Sequence, residues 1–428
     1  MSIRQLLLAA SLAGLAPALV PGAALAQSGP GAVALGSTLS LESVLEAARQ
    51  SPDALAARRA AQAAQADVRA ADRSPAPVLS AGVSSIDLQS GTGAGPFWSR
   101  KRLDKALGLD WTWERGNKRG LRTEAAERAA LAAAADSQEM RVLQQIGALG
   151  AFYELLAAQE RLQTLQGLTD GARSLARTAE VRLKAGDVSA QDAARARIEA
   201  ERAEADLQLA RLAHHQAMQA LAGWTGQPVP AGGWRAQGAW PQGAGGEAGD
   251  IETLIEQRPD VVAARERVAA SDAVLQGAQA LNRADPTLGA SFDHYPDGLR
   301  INRWLALRIS VPIQTPSRFE GEIGRALAQK DQAQDLLEKA RVLARAELLG
   351  LQQARQSQSL RLQTYETQIL PRARQVAAQA ELAYSKGGLS LTDLLDARRT
   401  LRTTELEATG VRNDHARALG AWQLRTAH

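Results

Sequence analysis

Residues Glu381–Arg399 read ELAYSKGGLSLTDLLDARR. An apolar-periodic helix runs into Gly387-Gly388, where glycine supplies the left-handed backbone that a sharp reversal needs. Ser390 then stands where a hydroxyl can cap a new helix, and Asp393 and Asp396 follow on one face of its first turns. The stretch predicts a helical hairpin.

The same hairpin is written in the first half of the chain. Glu180–Arg197 reads EVRLKAGDVSAQDAARAR, so that Gly186, Val188, Ser189 and Asp192 match Gly387, Leu389, Ser390 and Asp393. Working outward, Arg258-Pro259-Asp260 and the residues after it answer Ser51-Pro52-Asp53, and each half reads helix, strand, strand, long helix, turn, helix. The first repeat covers residues 40–222, with strands at about 78–88 and 107–113 and a hairpin tip at 184–189. A Gly/Pro/Trp-rich linker, read as the equatorial region, fills 223–249. The second repeat covers 250–428, with strands at about 287–295 and 304–313 and a tip at 386–390. A duplication over the whole folded part is an architectural signal. The helices between strands and tips are predicted at ~50–65 residues, or ~75–100 Å, which suits a coiled coil rather than a compact core.

Composition agrees. Aromatic residues make up only 4% of the chain, whereas Ala, Leu, Gln, Glu and Arg dominate, as in long helices. With 50 Lys plus Arg against 46 Asp plus Glu, the charge is balanced and no dense basic stripe points to nucleic acid. The absence of cysteine excludes disulfides, thiolate metal sites and thiol nucleophiles. Residues 1–26 read as a secretory signal peptide: Arg4, an apolar run from Leu6 to Val20, and Ala24-Leu25-Ala26 before the cut; residues 27–39 read as a flexible N-terminal segment. No later stretch is apolar over the ~20 residues that a membrane helix requires. Any bilayer contact must come from strands or the surface.

Half of the chain's aromatic residues lie in or beside the four strands, among them Trp98, Trp111, Trp113, Tyr295 and Trp304, which are candidates for a membrane-interface girdle. Four strands are too few for a membrane barrel, which needs at least eight, and an open sheet in lipid leaves bare edges. Three chains contributing four strands each would close a barrel of twelve. A small soluble sheet in a secreted coiled-coil scaffold is the competing reading.

The order of elements, the duplicated halves, Arg258-Pro259-Asp260, the strand exit Trp113-Glu114-Arg115-Gly116-Asn117-Lys118-Arg119 and Tyr384–Asp396 together resemble the TolC-type outer-membrane efflux channel family. The resemblance covers essentially all of the mature chain. It implies a mainly α fold with a transmembrane β part: a homotrimer with a 12-stranded β-barrel in the outer membrane of a Gram-negative bacterium and a helical coiled-coil barrel crossing the periplasm. The implied partners are a periplasmic adaptor (membrane fusion protein), an inner-membrane RND-type pump and outer-membrane lipid. The implied function is passive export, with no enzyme activity and no cofactor. Phe292-Asp293-His294-Tyr295-Pro296 and Arg318-Phe319-Glu320-Gly321-Glu322 are similar to the heavy-metal (CzcC-type) branch; drug efflux by the same kind of channel is the alternative.

By the same resemblance, the tips, with Lys184, Gly186, Val188, Ser189, Lys386, Gly387, Leu389 and Ser390, dock the adaptor. Asp393 and Asp396, with Asp192 as the counterpart of Asp393, fall where the family rings its pore aperture with carboxylates. Such rings favour cations. Helix-dipole stabilisation of solvated aspartates is the structural alternative. Where relatives carry a basic gate residue this chain has Leu389, so an arginine–carboxylate latch is expected to be absent or moved, with Arg195 and Arg398 as candidates. The adjacent His214-His215 cannot share a metal as an i, i+4 pair would, and His294, His415 and His428 are isolated. Gly91-Thr92-Gly93-Ala94-Gly95 lacks the Lys-Ser/Thr of a phosphate loop.

Overall fold

The computed structural model describes residues 37–89, 91–98, 102–243, 249–297 and 300–427. The signal peptide, most of the N-terminal segment and His428 lie outside the described residues. In chain order the elements are β1 (Thr38–Leu39), α1 (Leu41–Arg49), α2 (Pro52–Ala71), β2 (Val78–Ser84), β3 (Asp104–Thr112), α3 (Lys118–Ala185), α4 (Ala190–Thr225), β4 (Arg235–Ala236), α5 (Ile251–Gln257), α6 (Pro259–Ala280), β5 (Thr287–Asp297), β6 (Arg300–Ser310), α7 (Glu320–Thr364), α8 (Leu370–Ser385) and α9 (Leu391–Thr426).

Helix α3 runs for 68 residues without a break, about 100 Å at 1.5 Å per residue. It passes through Gly167 and Gly171 unbroken; glycine inside a helix costs only about 1 kcal/mol, and packing along α4 outweighs it. Pro371 is accommodated differently. Tyr365–Ile369 widens into a π-turn, and α8 resumes with Pro371 in its first turn, where the missing N–H breaks no hydrogen bond.

The four long strands form one antiparallel sheet in the order β2-β3-β5-β6. The halves of the chain meet at β3–β5, where Thr112 pairs with Thr287 and their hydroxyls lie 3.0 Å apart. The second hairpin is longer than expected: β5 reaches Asp297 and β6 starts at Arg300. The descent from β3 into α3 is fixed by Gly116 (φ 78°) and Asn117 (φ 58°). A Cβ at Gly116 would lie 2.9 Å from Cδ of Arg283. Lys118 then donates to the Arg283 carbonyl and to Asp285, both at 2.7 Å, tying the strand exits of the two halves together.

Residues 223–249 do more than link. Arg235–Ala236 pairs in parallel with Thr38–Leu39, and Gln159 on α3 brackets Ala236, donating to its carbonyl at 3.1 Å and accepting from its N–H at 2.6 Å. Trp234 is buried with Phe152, Leu155 and Leu221, while Trp240 stacks on Tyr153 and donates to Glu160 at 2.7 Å. The N-terminal segment therefore ends ordered, with Leu39 fully buried. A two-residue strand carries too little periodicity to be read from sequence.

Beside this core, the Arg-Pro-Asp motif has a structural explanation. Arg258 caps α6 with its side chain 3% exposed, bonded to Asp260 at 2.8 Å and Glu347 at 2.9 Å. Glu347 also takes Arg425 of α9 at 2.8 Å, and Arg425 grips both oxygens of Glu139 on α3 at 2.8 Å. Burial alone would disfavour the Arg258 charge; the two carboxylates more than offset it and hold its pKa above the usual arginine value. Removing the cation would break both bonds; Asp260 and Glu347 are partly exposed and Glu347 keeps Arg425, so the cost is about 1–3 kcal/mol. Arg258→Ala should therefore lower the thermal midpoint of the helical circular-dichroism signal by several degrees. An unchanged midpoint would mean that the network is not what joins α6, α7, α9 and α3.

Candidate functional site

At the tips the two hairpins are built alike. Gly186 (φ 84°) and Gly387 (φ 76°) take the left-handed conformation that ends α3 and α8, and Asp187 and Gly388 donate back to the carbonyls of Arg182 and Ala383 at 2.9 Å. Ser189 and Ser390 cap α4 and α9. In each case the serine hydroxyl accepts from the aspartate N–H, at 3.1 Å for Asp192 and 3.2 Å for Asp393, and donates to that aspartate's Oδ2 at 2.7 Å. Both aspartates thus sit in the first turn of a serine-capped helix, each with one carboxylate oxygen engaged by the capping hydroxyl. Asp396 is exposed, 3.5 Å from Arg399. Lys184, Gly186, Ser189, Lys386, Gly387 and Ser390 are exposed at the tips, and Val188 and Leu389 are half-buried.

Behind the turns the hairpins share one small core, in which Ala179, Ala193, Ala196 and Ala380 surround Leu391, Leu394 and Leu395. Leu389 packs against it, so the position where a basic residue was looked for serves here as an apolar anchor. The two arginines considered for a latch are occupied within the chain: Arg195 donates to Thr392 at 2.7 Å, and Arg398 pairs with Glu381 at 2.8 Å. The carboxylate clasp between hairpins is a different pair. Arg399 on α9 donates to Oε2 of Glu199 on α4 through Nη2 at 2.6 Å and Nε at 3.1 Å. Arg402 and Asp206 repeat the link at 3.1 Å. The hydrogen bond from Arg399 holds the Glu199 carboxyl below its usual pKa of 4.5, against an opposing push from burial, with Arg402 and Arg202 adding to the lowering. Sequence reading missed this clasp because nothing local distinguishes Arg399 from other helix-face arginines. Gly167, Leu168, Gly171, Ala172 and the clasp side chains enclose a cavity of about 210 Å³ beside it.

At the other end of the helices, the sheet register sorts side chains by face. One face carries Leu79 and Val83, then Leu107, Leu109 and Trp111, then Leu288 and Phe292, then Leu305, Leu307 and Ile309. These side chains are solvent-exposed in the single chain, Leu307 to 80%. The opposite face carries Ser80, Gly82, Ala106, Gly108, Gly289 and Ser291, with Asp110 bonded to Arg308 at 2.7 Å. A Cβ at Gly108 would lie 2.6 Å from the Ser80 hydroxyl. The same register divides the five girdle candidates. Trp111 lies on the apolar face, Tyr295 and Trp304 lie on the polar one, Trp113 follows the end of β3, and Trp98 sits on the loop between β2 and β3. A girdle drawn from all five on a single face does not form: strands alternate sides, and Tyr295 and Trp304 have the opposite parity from Phe292 and Leu305. Strands β2 and β6 are each paired on one side only among the described residues.

No helix among the described residues is long and apolar enough to cross a membrane. Among those residues no three His, Asp or Glu side chains converge as a metal site. His415 is buried and lies 3.0 Å from the Gly243 carbonyl.

The chain compares with known proteins as follows. Residues 44–227 match the family model described as outer membrane efflux protein. The cobalt-zinc-cadmium resistance protein CzcC of Cupriavidus metallidurans is 30% identical over 306 residues, 70% of this chain and 71% of CzcC. The pyoverdine export outer membrane protein OpmQ of Pseudomonas aeruginosa is 25% identical over 279 residues, 62% of this chain and 57% of OpmQ. A solved structure of CusC shares the fold with a TM-score of 0.76 at 18% identity, over 90% of this chain and 91% of CusC. On the strength of the family match and the extent of its likeness to CzcC, the chain belongs to the outer membrane efflux protein family.

Proposed function

We propose that this outer-membrane efflux channel works as a homotrimer, in which three four-stranded sheets close a twelve-stranded barrel and the long helices form a duct through the periplasm. The carrying observation is a sheet whose one face exposes a band of apolar side chains from Leu79 to Ile309, whose other face is mostly small and polar, and whose two edges are unpaired among the described residues, attached to helices far longer than a globular core uses. In the strand order β2-β3-β5-β6 neighbours are antiparallel throughout, so β6 of one copy can meet β2 of the next with the alternation kept. Exposed apolar positions seven apart on α7, Leu336 with Leu343 and Val342 with Leu349, suit contact between copies along the duct.

In this reading the tips receive a periplasmic adaptor, and an inner-membrane pump supplies energy and selectivity. The exposed glycines and the half-buried Val188 and Leu389 offer a close, partly apolar approach. Three copies of Asp393 and Asp396 around a narrow axis would make a cation-favouring constriction. The Arg399–Glu199 clasp keeps the hairpins of each chain together, and adaptor engagement would separate them. Metal cations are the favoured cargo, because CzcC, a cobalt-zinc-cadmium resistance protein, is matched at higher identity and over more of its length than the pyoverdine exporter OpmQ. OpmQ motivates the second reading, export of a small organic molecule.

Two experiments address this function. In planar bilayers, Glu199→Gln should raise the conductance of the resting channel at neutral pH. The Glu199 pKa is depressed on folding, so the clasp is at full strength above pH 4.5 and fades as pH falls below that value; wild type should approach the variant only there. Asp393→Asn with Asp396→Asn, which keeps side-chain shape, should reduce cation preference in the same bilayers. Equal conductance of Glu199→Gln and wild type at every pH would remove the clasp from gating. In cells, loss of the chain should lower the tolerated concentration of zinc or cobalt several-fold. Unchanged metal tolerance together with impaired export of a small organic molecule would favour the second reading.

A further inference from the structure

Two large aromatic side chains stand among the small ones on the polar face of the sheet, and neither the helical duct nor the apolar band uses them. Trp304 of β6 is directly opposite Asp293 of β5, and Tyr295 of β5 is directly opposite Asn302 of β6, so both rings lie on that face. They are diagonal neighbours, at a separation that aromatic side chains span. Around them the same face carries Ser291 and Ala306, then Ala106 and Gly108 one strand further on. Trp304 is 61% exposed and Tyr295 39% exposed. Rings of this size among serine, alanine and glycine stand clear of the sheet, because no packed layer of comparable side chains surrounds them.

Their height is set by the strand. Trp304 is the fifth residue of β6, which leaves the β5–β6 turn at Arg300 and ends at Ser310. At ~3.4 Å per residue it lies roughly 14 Å along the strand from that turn and roughly 20 Å from Ser310. The rings therefore belong to the loop end, far from the hairpin tips. In a trimeric barrel, twelve strands ~4.8 Å apart and tilted ~40° enclose a bore roughly 24 Å across at the backbone. An indole directed inward takes up roughly half of that ~12 Å radius, and three-fold symmetry repeats it three times at one level.

We infer that Trp304, with Tyr295 beside it, forms an aromatic ring in the lumen near the loop end and is a second narrow point of the duct, one that limits the size of what leaves. The inference rests on the barrel reading above, since it requires that this face line the lumen. Asp293, held on this face by accepting from the Ser291 hydroxyl at 3.0 Å, puts a carboxylate directly opposite each indole. Aromatic faces attract cations, and rings of carboxylates favour cations over anions. Such a ring passes a hydrated metal cation and holds back a bulky organic anion. Trp304 is thus a specificity-determining residue for export, independent of the aspartates at the tips.

The test exploits a chain without natural cysteine. Ser310→Cys places one thiol per chain on the same face as Trp304, on the helix side of the ring. The full-length chain is expressed in the outer membrane, and intact cells are treated with maleimide–polyethylene glycol reagents of graded size, the larger of which reach this thiol only through the loop end. With Trp304 in place, labelling should stop at a certain polymer size. Trp304→Ala or Trp304→Gln should move that cut-off to larger polymers and raise labelling by intermediate ones several-fold. Trp304→Phe should keep most of the restriction, and Trp111→Ala, on the opposite face, should leave the cut-off where it was. An identical cut-off with and without Trp304, in inserted protein that the smallest reagent labels, would overturn the ring and leave the barrel standing. An equal shift from Trp111→Ala would do the same, since the change would then be a general loosening of the sheet. A thiol that no reagent reaches in inserted protein, even with Trp304→Ala, would overturn the ring and the barrel together.

Discussion

A strand edge in hydrocarbon has no water to satisfy its N–H and C=O groups, and this constraint governs the rest of the molecule. The sheet puts its leucines, Ile309 and Trp111 on one face and its serines, glycines and an Asp110–Arg308 pair on the other. That pattern is inside-out for a soluble protein and natural for a wall between lipid and a watery lumen. In the proposed reading one chain does not complete the wall, because β2 and β6 are each paired on one side only among the described residues. Below the sheet, the bond from Lys118 to Asp285 locks the strand exits of the two halves, and the helices descend from a fixed start.

Away from the sheet, stability comes from alanine-rich contacts of modest individual size, punctuated by a few charged networks. Arg258, Glu347, Arg425 and Glu139 connect α6, α7, α9 and α3 near the middle of the duct. Arg399 with Glu199 and Arg402 with Asp206 connect the hairpins near the tips. The two sets differ in burial. The arginines of the first are nearly inaccessible, whereas in the second Arg399 is exposed and only its partner Glu199 is largely covered. The π-turn at Tyr365–Ile369 lies between these regions, bonded through Glu366 to Arg412 at 2.6 Å.

Much of this was legible in the sequence because it is written twice. The glycine–serine–aspartate pattern at the tips, the paired strands and the long helices all repeat, and the two capped turns proved alike down to the hydrogen bonds of Ser189 and Ser390. The parallel pair Thr38–Leu39 with Arg235–Ala236 was hidden because two residues carry no period. The faces of Tyr295 and Trp304 were hidden because they depend on register, which a strand of uncertain ends does not fix. The Arg399–Glu199 clasp was hidden because its partners come together only when both hairpins have packed.

Closure of the barrel between copies is the central claim, and the absence of natural cysteine makes it directly testable. A cysteine at Gly82→Cys on β2 would be combined in turn with Ala306→Cys, Arg308→Cys and Ser310→Cys on β6, all on the polar face, and each pair oxidised in outer membranes before non-reducing electrophoresis. At least one pairing should yield a covalent species of three chains that is lost on reduction. Monomers alone across the whole panel, from protein properly inserted in the membrane, would contradict it.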